Sequence, residues 1–285
     1  MRVLRKKGVE FMKADYIEMI LSNAEKLPYR CILFDGPWGI GKTYTVNKSL
    51  KKYENVCKMS MFGLQNSNQI YHEALFQTAL KRNMGGKLAD YFLKVINSIA
   101  KVWNKSDIAK DIISSITNER DIFLQMARQF KALHIIVIDD LERISDKVVF
   151  ERVLGVIEEL KQCNFIKVIL IANIEELPNE NRSLFDKYNE KVIDRIYRIT
   201  EMPHKVNWED LGMDNEFIVQ FLSKHAVKNL RTLQKAQNFY NDVRLYCAGI
   251  NDEKFLNEIK LICFAIVVEP KIPSKLYTCL VCQPI

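Results

Sequence analysis

Four residues of this chain have the types and the spacing to handle a polyphosphate: Lys42, Thr43, Asp139 and Asp140. Lys42 and Thr43 close the stretch Gly36-Pro37-Trp38-Gly39-Ile40-Gly41-Lys42-Thr43, which spells G-x-x-x-x-G-K-T. Glycines in such a stretch let the backbone bend so that several N–H groups point at phosphate oxygens. A helix that starts there adds the partial positive charge of its N-terminus. A lysine at this place reaches β- and γ-phosphates, and the neighbouring hydroxyl can ligate Mg²⁺. The cradle is therefore read as Gly36 through Tyr44. Asp139 and Asp140 follow the apolar run His134–Ile138. Adjacent carboxylates repel, and burying them is costly unless a cation answers them. Asp139 fits the role of holding Mg²⁺ through water, together with Thr43. Asp140 is placed to polarise an attacking water as general base. A second reading of Asp140 is that it caps the helix expected over 147–162.

These residues work only if the chain brings them together. Cys31–Phe34 reads as a buried strand leading into the loop, and Val46 and Leu50 recur at helical spacing after it. The four β-branched residues Ile135–Ile138 read as a central parallel strand covered on both faces. In an open parallel sheet, ligands bind at the carboxyl ends of strands, which places Asp139 beside the loop. Phe165–Ala172 is a further buried strand, and Asn173 stands at its end. Asn173 is either a turn residue or a side chain that orients the attacking water or senses the γ-phosphate. Further strands are expected at Asn55–Met61 and Ile196–Ile199. Helices are expected at Val9–Lys26, Gln69–Lys81, Val148–Leu160 and 182–194.

The rest of the chain sets bounds. With 285 residues it can hold one large α/β domain and a smaller module. The net charge is +7, and the basic residues are spread along the chain. That admits nucleic acid as a partner without a helix-turn-helix or zinc-finger pattern to support it. Seven cysteines lie mostly in apolar runs, which reads as buried thiols in a reducing compartment. Cys279 and Cys282 form a lone C-x-x-C pair without the partners a structural zinc needs. The longest wholly apolar run, Leu261–Val268, is far too short to span a bilayer. No secretory leader is visible, and the expected place is the cytoplasm. Leu88, Tyr91, Phe92, Val95, Ile96, Ile99 and Val102 form the apolar stripe of an amphipathic helix. Asn104-Lys105-Ser106-Asp107 matches a guanine-reading pattern but precedes the aspartate pair and follows a helix, so it reads as chance. After Pro203 the pattern is helical, at Glu216–Ser223, Asn229–Leu245 and Phe255–Val268.

Three features together resemble the KAP family of P-loop NTPases, related to the STAND and AAA+ branch. They are G-P-W-G-I-G-K-T with its tryptophan, I-D-D-L-E-R ending at Arg143, and Lys228-Asn229-Leu230-Arg231-Thr232-Leu233. Met59–Leu64 adds to the likeness, which covers roughly residues 14–245. The resemblance implies ATP and Mg²⁺ as cofactors and a mostly parallel five-stranded core with a C-terminal helical lid. The division expected is a core over 1–205, with a helical insertion at 87–133, and a lid over 206–285. The resemblance also implies Asp139 on Mg²⁺, Asp140 as base and Arg231 as a lid arginine near the γ-phosphate. Arg195 stands where related ATPases carry an arginine finger. Many KAP proteins carry membrane spans between the two acidic and glycine-rich motifs, and residues 64–133 hold none. The function implied is an ATP-driven switch in assembly or conformation, often in bacterial phage-defence settings. It acts on copies of itself or on an unidentified protein. A nucleic-acid motor, a non-hydrolysing scaffold and a small-molecule kinase are the competing readings.

Overall fold

The computed structural model describes residues 9–81, 119–204 and 206–268. The stripe at 88–103, the motif at 104–107, and Cys279 and Cys282 lie outside the described residues. Six strands form one sheet: β1 (Val9–Lys13), β2 (Cys31–Asp35), β3 (Val56–Ser60), β4 (His134–Asp139), β5 (Ile166–Ala172) and β6 (Arg195–Glu201). Their order is β1-β6-β2-β5-β4-β3. The β6-β2, β2-β5, β5-β4 and β4-β3 pairs are all parallel. Every residue of β2 is buried, so both of its faces are covered, as its unbroken apolar run requires.

Among the described residues there are six strands where five are expected, and the additional one is β1 at the sheet edge. The helix expected over Val9–Lys26 is replaced by β1, a short helix α1 (Asp15–Leu21) and a 3-10 turn at Ala24–Lys26. Apolar pairs at 11/12, 16/17 and 20/21 satisfy a helical stripe. Five residues of strand are too few to show their own period, and pairing with β6 decides between the two.

Between the strands lie α2 (Lys42–Ser49), α3 (Asn68–Lys81), α4 (Glu119–Ala127), α5 (Lys147–Lys161) and α6 (Asn179–Val192). Helix α5 buries Phe150, Val153, Leu154, Ile157 and Leu160, the face its spacing predicts. Its cap is Asp146, whose side chain accepts from the Val149 N–H at 2.8 Å. Asp140 therefore does not cap this helix. Helix α6 begins three residues before the expected start. Asn181 in its first turn is fully buried and donates to the Ile144 carbonyl at 2.6 Å, so a polar residue just outside the expected helix is an interior anchor.

The described residues divide into two compact units. The first takes residues 9–12, 16–37, 42–81 and 119–200; the second takes 13–15, 38–41, 201–204 and 206–268. In the second unit, α7 (Asn215–Lys224), α8 (Leu230–Tyr246) and α9 (Glu253–Val268) follow one another. Asp214 caps α7 through the Phe217 N–H, and Asn229 caps α8 through the N–H groups of Arg231 and Thr232. Ile218, Phe221, Leu233, Ala236 and Phe264 are buried, with Phe221 and Phe264 packed edge to face at 5.3 Å. No helix among the described residues is long and apolar enough to cross a membrane.

Among the described residues strand β3 is a sheet edge, and one side chain covers its middle residue. Gln77 of α3 accepts from the Lys58 N–H at 2.8 Å and donates to the Lys58 carbonyl at 2.7 Å. Both backbone groups of that residue are engaged by the one amide, which removes a template for pairing with another chain. Gln77→Ala is expected to lower stability by about 1–2 kcal/mol. The measurement is the midpoint of chemical unfolding, and an unchanged midpoint would show the edge to be solvated equally well by water.

Candidate functional site

Strand β2 delivers the loop and β4 delivers the aspartates, with β5 between them in the sheet. The chain leaves β2 at Gly36, whose N–H donates to the Ala172 carbonyl at 3.1 Å. A Cβ on Gly36 would stand 2.2 Å from the Ile199 carbonyl oxygen, so β6 leaves room only for glycine. Lys42 opens α2 and is 6% exposed. Its ammonium donates to the carbonyls of Gly36 (2.5 Å) and Pro37 (2.9 Å), which holds the charge inside the loop. Thr43 donates to Asp139 Oδ2 at 2.7 Å, and Asp139 Oδ1 accepts from the Asp140 N–H at 2.8 Å. The sequence places Lys42, Thr43, Asp139 and Asp140 in one site, and the first unit brings them together.

The electrostatics of Asp139 favour a bound cation. Burial pushes its carboxyl above the usual carboxylate range. The Thr43 hydroxyl and the Asp140 N–H work the other way, and the charges of Asp140 and Glu142 raise it further. A hydroxyl and a carboxylate in contact, with two more carboxylates nearby, are hard oxygen donors. That donor set suits Mg²⁺, which takes one or two protein oxygens and completes its shell with water and phosphate. Among the described residues no group of three or more His, Cys, Asp or Glu is arranged to hold a metal by itself. The described cysteines are in no disulfide, and Cys31, Cys57 and Cys263 are buried.

Asn173 stands at the carboxyl end of β5, between the loop strand and the aspartate strand, and is 7% exposed. Its side chain does not cap the 3-10 turn that follows at Ile174–Glu176. Arg195 lies elsewhere. It pairs with Ile32 in the register of β6 on β2, three residues before Asp35. At about 3.3 Å per residue that is roughly 10 Å back along the strand, toward the end away from the loop. Its guanidinium lies over the rings of Tyr29 (5.8 Å) and Tyr197 (5.5 Å). Within one chain Arg195 does not join Lys42 and Asp139.

The middle of the loop, Trp38–Gly41, belongs to the second unit and meets the start of α8. Asn229 Nδ2 donates to the Trp38 carbonyl at 3.3 Å, and the Leu230 N–H donates to the Gly39 carbonyl at 2.7 Å. Gly39 has φ +76°, and a Cβ there would stand 2.0 Å from Asn229 Oδ1, so only glycine fits. Ile40 is buried, Tyr44 is partly exposed, and Trp38 and, on the first turn of α8, Arg231 are exposed.

Sequence reasoning missed Asp35, the last residue of β2, which is 3% exposed. Its Oδ1 accepts from the Ile174 N–H at 2.9 Å and its Oδ2 from Arg198 Nε at 3.0 Å. Arg198 also reaches Glu175 at 3.4 Å. Asp35 thus ties the ends of β2, β5 and β6 together directly under the loop and fixes the turn that carries Asn173. The available signal was an acid at the last position of an otherwise apolar buried strand.

A family model for the KAP family P-loop domain matches residues 12–200. The chain belongs to this family. The KAP match spans the loop, the aspartate pair and β6, and ends where the second unit takes over. No curated protein matches the chain in sequence. Among solved structures, domain III of the replication initiation protein DnaA from Thermotoga maritima is 13% identical, with 91% of each chain covered and a TM-score of 0.46. The ORC1 protein of Aeropyrum pernix, solved in complex with DNA, is 12% identical over 80% of this chain and 59% of that one, with a TM-score of 0.44. PCH-2 of C. elegans is 13% identical over 91% of this chain and 68% of that one, with a TM-score of 0.39.

The raised carboxyl of Asp139 has a testable consequence. A carboxylate whose folded pKa lies above its unfolded value destabilises the native state where it is ionised, above that raised pKa. The cost disappears as pH falls below the ordinary carboxylate value. Asp139→Asn without Mg²⁺ should therefore raise the melting temperature at about pH 7.5. The gain should shrink toward about pH 4. Thermal unfolding at both pH values checks it, and a lower melting temperature at neutral pH would contradict it.

Proposed function

We propose that this KAP protein is a Mg²⁺-dependent ATPase that works as a nucleotide-driven switch of conformation or assembly. The observation that supports this best is the 2.7 Å hydrogen bond from Thr43 to Asp139, which joins the glycine-rich loop to the acidic strand. In this reading the loop N–H groups and the Lys42 ammonium bind the β- and γ-phosphates. Thr43 and Asp139 hold Mg²⁺, which draws negative charge off the phosphate oxygens when bound. Asp140 accepts a proton from the water that attacks the γ-phosphorus. The new bond is from water oxygen to phosphorus, and the bond that breaks is from phosphorus to the bridging oxygen of the departing ADP. Asn173 orients the water or reads the γ-phosphate from the end of β5. Arg231 is kept as a nucleotide-responsive cation on the family resemblance, and the phage-defence setting has the same support.

Arg195 fits this reading only as a residue supplied to another copy of the chain. Its position at the far end of β2 and β6 is what favours such a role over one in its own site. A cation supplied between subunits stabilises the charge of the transferring phosphoryl group and links turnover to assembly.

Steady-state ATP hydrolysis across protein concentration tests both parts. Specific activity should rise with concentration. Asp140→Asn should bind ATP and lose turnover by at least about a hundredfold, the low end for a positioned base. Lys42→Ala should abolish ATP binding, and unchanged affinity would remove the loop assignment. Arg195→Ala should keep ATP affinity and lose the concentration dependence. Activity that is flat with concentration would make each chain self-sufficient and leave Arg195 as packing between two tyrosines.

A further inference from the structure

The side-chain amide of Asn173 makes no hydrogen bond among the described residues, although the residue is more than nine-tenths buried. A buried amide of that kind is costly, and a ligand that pairs with it removes the cost. The backbone on either side of it is fixed. Before Asn173, the Ala172 carbonyl accepts from the Gly36 N–H at 3.1 Å. After it, Ile174 is buried, and charged side chains bind both of its backbone groups. Its N–H donates to Asp35 Oδ1 at 2.9 Å, and its carbonyl accepts from Arg182 Nη1 at 2.7 Å.

Asp35 is held in turn. Arg198 Nε donates to its Oδ2 at 3.0 Å, and the same guanidinium reaches Glu175, the residue after Ile174, at 3.4 Å. Side chains from β2, β6 and α6 thus converge on one short turn. The turn closes without them, since the Glu176 and Leu177 N–H groups donate to the carbonyls of Asn173 and Ile174. What the charged side chains add is its position relative to the glycine-rich loop, because Asp35 directly precedes Gly36.

We infer that Asp35, braced by Arg198, is a positioning residue for turnover: it sets where the Asn173 amide stands relative to the phosphates bound by the loop. This rests on the reading of Asn173 as the side chain that orients the water or reads the γ-phosphate. Asp35 and Arg198 touch no nucleotide in this role. A shift of about 1 Å at a group that orients reacting atoms can cost a hundredfold in rate. Phosphate binding draws on the loop N–H groups and Lys42, so affinity and turnover are separable. The contact atom decides the informative substitutions. Arg198 reaches Asp35 through Nε. Glutamine carries its amide nitrogen at the same place along the side chain, and methionine carries its methyl group there. Arg198→Gln therefore keeps the donor, and Arg198→Met removes it. Asp35→Asn keeps an acceptor for the Ile174 N–H but sets a second donor against Arg198 Nε. Combined with Arg198→Gln, it restores a donor–acceptor pair without charge.

Two quantities test this on the full chain with Mg²⁺: kcat for ATP, and the preference for the β,γ-imido analogue of ATP over ADP, measured by titration calorimetry. Asn173→Ala should lower one or both. Asp35→Asn and Arg198→Met should lower the same quantity, kcat by roughly tenfold to a hundredfold with ADP affinity within about twofold. Arg198→Gln should keep most of the wild-type value, and the double variant should exceed Asp35→Asn alone. In the Asn173→Ala background, Asp35→Asn should cost nothing further, because its effect runs through the missing amide. A further loss there would overturn the proposal, as would wild-type behaviour of both Asp35→Asn and Arg198→Met. A parallel fall in ADP affinity and melting temperature would reduce the pair to packing. If Asn173→Ala leaves both quantities unchanged, the reading of Asn173 fails first and the role of Asp35 with it. Should Asp35→Asn not fold, Arg198→Met against Arg198→Gln makes the same comparison, and equal activity of the two would count against the proposal.

Discussion

The hydrogen bond between Thr43 and Asp139 closes a separation of 96 residues and carries the logic of the first unit. It exists because β2 and β4 run in the same direction with one strand between them, so their carboxyl ends open on the same edge of the sheet. Parallel strands need long connections, and the sequence between β3 and β4 supplies one. What it brings together is a concentration of opposite charges on groups withdrawn from water. Lys42 is buried against the carbonyls of its own loop, and Asp139 is half-buried beside the charges of Asp140 and Glu142. Each part is costly alone, and a magnesium–phosphate ligand answers both.

Beneath that contact lies a second tier that the motifs do not display. Asp35 binds the Ile174 N–H and the Arg198 guanidinium from the end of β2. The carboxyl ends of three neighbouring strands are thereby fixed to one another just before the loop departs. Asn173 inherits its position from this arrangement, since the turn that follows it is pinned at Ile174. Asp140 is likewise placed by neighbours, through Ser60 at the end of β3 and Arg143 one turn onward. The residues proposed to act on nucleotide are thus held by residues that would not touch it.

The second unit shows the same principle in the loop itself. Asn229 does two jobs with one amide: its oxygen caps α8 and its nitrogen reaches the Trp38 carbonyl. Gly39 is glycine there because Asn229 leaves no space for a side chain and because φ is positive. A glycine that reads in sequence as freedom to cradle phosphate is also required for packing against the α8 cap.

Local pattern alone determined much of this molecule. The run of apolar residues before each functional group fixed β2, β4 and β5, because a strand buried on both faces has no other composition. The spacing from Gly36 to Thr43 and the pair at 139–140 defined the candidate site, because few residue types can bind phosphate and metal. The KAP resemblance followed from the same letters and is supported over residues 12–200. Tertiary structure decided what local pattern leaves open. It made Val9–Lys13 an edge strand, because a five-residue segment takes its conformation from its partner. It set Arg195 between two tyrosines at the far end of the sheet and Arg198 beside the loop, though only two residues separate them, because register along β6 decides which end each occupies. It engaged both oxygens of Asp140 through residues 80 positions and three positions away, and long-range partners of that kind leave no period in a sequence.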